Sequence, residues 1–90
     1  MFALKTLFLD ESAAQKAFAA FEETLSEVQE GPAEFYNVLR NILQQGLRLK
    51  PAIFSENNVV SCEFFGFDEK ESAMAEAALL EAGALEVIVE

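Results

Sequence analysis

The same strand-to-helix junction occurs twice in this chain, and that repetition limits the fold more than any other feature. Near the start, Phe8-Leu9-Asp10-Glu11 leads into Ser12-Ala13-Ala14-Gln15-Lys16-Ala17. Near the end, Gly66-Phe67-Asp68-Glu69 leads, after two extra residues, into Ser72-Ala73-Met74-Ala75-Glu76-Ala77. In both places an apolar stretch runs through an Asp-Glu pair into an alanine-rich segment. Acidic side chains at such a point accept hydrogen bonds from the free N–H groups of a first helical turn and oppose its positive dipole end. Two of these units in 90 residues predict helices laid over a sheet in one small domain.

The intervals between the junctions fill in the element order. Residues 2–9 alternate as a strand, with Phe2, Leu4, Thr6 and Phe8 on one face and Ala3, Lys5, Leu7 and Leu9 on the other. Both faces are largely apolar, so one suits a helix layer and the other a partner. A helix is predicted from a cap at Asp10 or Ser12 to about Glu30. Ser12-x-x-Gln15 matches a capping box, and Ala14, Phe18, Phe21, Leu25 and Val28 form a stripe at helical spacing. Gly31-Pro32 ends this helix and starts a second over 32–45, whose stripe is Phe35, Val38, Leu39 and Ile42 and whose stop is Gly46.

Residues 47–54 and 58–67 read as a hairpin around Ser55-Glu56-Asn57-Asn58. Pro51 places the first arm at a sheet edge, where Arg48 and Lys50 would guard against aggregation. Asp68-x-x-Glu71 opens a third helix that runs to about Ala82 and stops at Gly83. Its alanines let it lie close to a sheet. Leu85-Glu86-Val87-Ile88-Val89 forms a last strand.

The resulting order is β-α-α-β-β-α-β. Without the inserted second helix it resembles the ferredoxin-like β-α-β-β-α-β arrangement. That resemblance covers the whole chain, 1–90, as a pattern of elements. It implies an α+β two-layer sandwich with a four-stranded antiparallel sheet. It implies no iron–sulfur cluster, which a single cysteine could not hold. It leaves function open, because one fold hosts many.

Composition narrows the function classes. With no histidine, the commonest general base and metal ligand is absent, and so are His-dependent triads and Cys/His zinc sites. Cys62 is the sole cysteine, so no disulfide forms within the chain. It reads as a small buried hydrophobe in a reduced cytoplasmic protein. The acids Asp68, Glu69 and Glu71 lack the alternation and central glycine of a calcium loop and read as helix-start residues, as do Asp10 and Glu11. No cofactor, metal or catalytic residue is expected. The net charge of −10 opposes direct contact with nucleic acid or an anionic membrane and suits a basic protein partner. The apolar N-terminal patch lacks a basic leader and a cleavage site, and no run approaches a membrane span.

The charge is uneven. Residues 1–30 carry −4, residues 31–60 carry +1, and residues 61–90 carry −7. The near-neutral middle holds Phe35, Tyr36, Arg40, Arg48 and Lys50, and aromatic residues with arginine are the composition favoured at protein interfaces. These five are the candidate partner-binding residues. The leading expectation is a small non-enzymatic protein-interaction or regulatory module that forms a homodimer. The alternatives are an acidic inhibitor, either toxin-neutralising or a mimic of nucleic acid, and a small-ligand sensor.

Overall fold

A computed structural model describes residues 1–27, 33–48, 52–53 and 60–90. The elements are β1 (Phe2–Phe8), α1 (Glu11–Glu27), α2 (Ala33–Arg48), β2 (Ala52–Ile53), β3 (Val60–Phe67), α3 (Glu69–Glu81) and β4 (Glu86–Val89). The strand β1 is central. It pairs antiparallel with β3 on one side and with β4 on the other, while β2 adds a two-residue ladder, Ala52–Ser61 and Ile53–Val60, along the outer side of β3.

The four-stranded ferredoxin-like sheet expected from the element order is corrected by this pairing. Among the described residues the sheet proper has three antiparallel strands, β3-β1-β4, and with three helices it is an α+β fold. The reason lies in α2, which runs through Gly46 to Arg48 and takes up residues that the expected first hairpin arm would have used. A glycine inside a helix costs only about 1 kcal/mol, which tertiary contacts can offset. Such a contact exists one residue earlier. The Gln45 amide donates to the Phe65 carbonyl at 2.6 Å and accepts from the Phe65 N–H at 2.7 Å. A helix side chain thus occupies the hydrogen-bonding groups of β3 that a neighbouring strand would otherwise meet. Arg48 ends a helix and does not guard a strand edge; Lys50, Pro51 and the turn at 55–58 lie outside the described residues.

Three helices cover one face of the sheet. Leu4, Thr6 and Phe8 of β1 and Val60, Cys62 and Phe64 of β3 point into this layer and are buried. Helix α1 adds Ala14, Ala17 and Phe21, α2 adds Val38, Leu39 and Ile42, and α3 adds Ala75, Ala78 and Leu79. The alanines bring α3 close to β1 and β4, as their size requires. Phe18 of α1 ties the layers together, its ring lying 6.2 Å from Phe8, 6.3 Å from Phe64 and 6.4 Å from Phe21. The Phe8 and Phe64 pairs are edge-on, and such aromatic pairs add about 0.5–1.5 kcal/mol each beyond area burial.

A bulge at the end of β3 completes the core. Phe64 and Phe67 are three residues apart, so a regular strand would put them on opposite faces. Both are fully buried. The pairing register slips between Phe2–Phe67 and Ala3–Phe65, and Gly66 adopts φ +88°, a left-handed value that glycine takes without strain. The extra residue returns Phe67 to the core side and aims the chain at α3.

The helix starts are built by the repeated acids. Asp10 Oδ1 accepts from the Ala13 N–H at 2.8 Å, so Asp10 caps α1, and the expected Ser12–Gln15 box does not form because Ser12 already lies in the helix. At α3 the capping box is reciprocal. Asp68 accepts from the Glu71 N–H at 2.7 Å, and Glu71 accepts from the Asp68 N–H at 3.1 Å. The C-terminus of α3 closes with Gly83 N–H to the Leu80 carbonyl and Ala84 N–H to the Leu79 carbonyl, with Gly83 at φ +111°.

Two stability tests follow from these contacts. The Thr6 hydroxyl is fully buried without a hydrogen-bond partner. Thr6→Val removes it at nearly constant shape and is expected to raise unfolding stability by about 1 kcal/mol in urea titration. Gln45→Ala leaves the Phe65 backbone without its side-chain partner and is expected to lower stability by about 1 kcal/mol in the same assay.

Candidate protein-interaction surface

Helix α2 carries four of the five residues singled out by composition. Phe35 and Tyr36 are half-buried against the core, and their rings meet edge-on at 5.5 Å. Arg40 follows Tyr36 by one helical turn and is exposed. Arg48 is the last residue of α2, with its side chain outside the described set, and Lys50 lies outside it altogether. The structure therefore brings together the two aromatic residues, with Arg40 beside them on the solvent side. Much of the aromatic surface faces the helix layer, because the stripe that includes Phe35 is also the stripe that anchors α2.

Phe35 also lines a cavity of about 290 Å³ among the three helices. Its other walls are Ala20, Phe21 and Thr24 of α1, Leu39 of α2, and Ala78, Glu81 and Ala82 at the end of α3. The Thr24 hydroxyl donates to the Ala20 carbonyl at 2.8 Å, so it is engaged within its own helix. Glu81 is the one charged group of the lining. An apolar wall with a single carboxylate suits a small apolar body carrying a cation, and it offers no set of converging polar groups for catalysis.

Nearer the N-terminal ends of the helices, Lys70 Nζ of α3 lies 2.7 Å from Glu34 Oε2 of α2, with both side chains well exposed. The hydrogen bond that Lys70 donates to Glu34, then the charge of Glu34, raises the pKa of the Lys70 ammonium above its ordinary value, with Asp68 adding to the effect. An ion pair in this setting orients two helix starts and contributes little stability.

Among the described residues, no helix covers the other face of the sheet. Directly opposed residues share a face, so the pairing registers give its rows. Leu7 lies between Ser61 and Glu86, and Lys5 lies between Glu63 and Ile88. Ala3 lies between Phe65 and Glu90, with which it exchanges both backbone hydrogen bonds. Leu7, Ile88, Ala3 and Phe65 form an apolar path that curves around Lys5. Phe65 is 53% exposed, and Leu9, beyond the end of β1, is 60% exposed. Among the described residues the face carries one base, Lys5, beside the acids Glu63, Glu86 and Glu90. Sequence alternation identified the β1 part of this face. It missed Phe65, which follows Ser61 and Glu63 on the same side of β3, and Ile88, because both needed the strand registers.

Chemistry of the residues does not add a reactive centre. Cys62 sits on the covered face at 2% exposure, and burial pushes its thiol up to about 11 from 9.0. Asp10, Asp68 and Glu71 hold backbone N–H groups. Among the described residues, no group of three or more histidine, cysteine, aspartate or glutamate side chains is placed to hold a metal ion, and no helix is long and apolar enough to cross a membrane. Neither a protein-family model, nor a curated protein, nor a solved structure matches this chain.

The buried thiol gives a direct test. Iodoacetamide at pH 8 is expected to leave Cys62 unmodified in the folded protein and to alkylate it once urea unfolds the chain, as read by mass spectrometry. The sign of the pH effect follows. The unfolded thiol releases its proton near 9.0 and the folded one near 11, so stability from this group is intact below 9.0 and declines as pH rises toward 11.

Proposed function

We propose that this chain is a small non-enzymatic protein-interaction or regulatory module that docks through the uncovered face of its sheet, and that the occupant is a second copy of itself. The observation that carries the reading is the apolar path of Leu7, Ile88, Ala3 and Phe65 on a face that no helix covers among the described residues. Contiguous exposed apolar surface on a small domain marks a site of association. The charges on the face favour a like partner. Lys5 stands among three glutamates, so a like face brings both signs of charge to the interface. The long apolar stem of Lys5 adds to the buried surface while its ammonium reaches the rim.

The acidic-inhibitor reading shares the same surface but draws on the charge of −10, with exposed acids on α1, α3, β3 and β4. The two readings separate by experiment. Light scattering across the micromolar range is expected to show a dimer whose dissociation constant rises at least about tenfold in Phe65→Glu, since one exposed aromatic anchor is worth that much at an interface core. The variant keeps the β3 backbone that Gln45 holds. A protein that stays monomeric throughout, or a dimer indifferent to Phe65→Glu, removes the self-association reading.

A further inference from the structure

The outer edge of β4 is a second, separate surface, and we infer that it accepts an extended basic segment of a partner protein as an added strand. Ala3 and Glu90 exchange both of their backbone hydrogen bonds. Antiparallel pairs alternate, so Ile88 also points its N–H and C=O toward β1, and Val87 and Val89 point theirs away from the sheet. No strand pairs with that side among the described residues. The edge is β-branched, Val87-Ile88-Val89, and carries none of the lysines, prolines or bulges that commonly blunt an edge. An edge of this kind binds extended chains through main-chain hydrogen bonds.

Charge decides the occupant. From residue 71 onward the chain has five glutamates, Glu71, Glu76, Glu81, Glu86 and Glu90, and no lysine or arginine. They lie on α3, which packs against β4, on β4 itself and just beyond it. A second copy at this edge would set the same acids against each other, whereas the uncovered face has Lys5 to balance them. A basic strand gains from Glu86 and Glu90, on β4 and just beyond it, and its side chains on alternate positions can reach both sides of the edge.

The test uses the whole chain and a synthetic probe of alternating lysine and valine about six residues long, the usual length of a strand. Amide hydrogen exchange is read with and without the probe, beside an alternating glutamate–valine peptide as control. The lysine peptide is expected to slow exchange at Val87 and Val89 by about tenfold or more while Ile88, already bonded to Lys5, changes little. Binding should weaken as salt is added. Val89→Pro removes an outward N–H without touching a bond to β1 and is expected to weaken the probe by about tenfold. Equal binding of the glutamate peptide, no binding of the lysine peptide, or protection confined to other residues overturns the inference. Protection of Val87 and Val89 in the protein alone overturns it in favour of a second copy. Phe65→Glu, which tests the face, leaves these readouts unchanged.

Discussion

The structure depends on β1 being hydrogen-bonded along both edges. Alternate residues of β1 direct their backbone groups to β3 and to β4, so the central strand is paired along both edges. Once that pairing is made, the pleat assigns every β1 side chain to a face. Leu4, Thr6 and Phe8 enter the helix layer and Ala3, Lys5 and Leu7 go to the open side. Neighbouring strands inherit the same division through their register. The Thr6 hydroxyl is a by-product of this constraint. It sits at a core position of the central strand, where no partner reaches it, and its desolvation weakens the fold by about 1–3 kcal/mol.

The helices are held to this sheet by local chemistry at their ends and by small residues in their middles. Asp10 and Asp68 close the N-termini with backbone hydrogen bonds, and the Gly83 turn closes the end of α3. Alanine at the α3 contact allows close approach, while Phe18 and Phe21 fill the wider space over β1 and β3. Helix α2 completes the layer and, through Gln45, also satisfies the edge of β3. The same helix that departs from the bare β-α-β-β-α-β order is therefore the one that shortens the sheet.

Association surfaces are left by what this arrangement does not cover. A single layer of helices protects one face, so a strand that is apolar on both sides exposes half of its apolar residues. The open face and the β4 edge differ in electrostatics. Lys5 gives the face both signs, whereas residues 71–90 give the edge one sign. That difference, set by where a few charged residues fall in the register, is what separates a surface suited to a like copy from one suited to a basic chain.

The strand-to-helix junctions, the helical stripes and the buried Cys62 were legible in the chain because they depend on contacts within a few residues or on a simple period. Asp68-x-x-Glu71 is such a case, since both of its hydrogen bonds are local. Composition likewise drew attention to Phe35, Tyr36 and Arg40 but could not say that Phe35 and Tyr36 turn largely inward. The truncation of the expected fourth strand was not legible. It depends on Gln45 reaching Phe65, twenty positions away, and on a helix that continues through a glycine. The face taken by Phe67 was also hidden, because the bulge at Gly66 reverses the alternation beyond it. Local periodicity determined which segments form helices and strands. Tertiary pairing alone decided how many strands the sheet holds and which residues it exposes, because hydrogen-bond register is a relation between distant segments and leaves no local period.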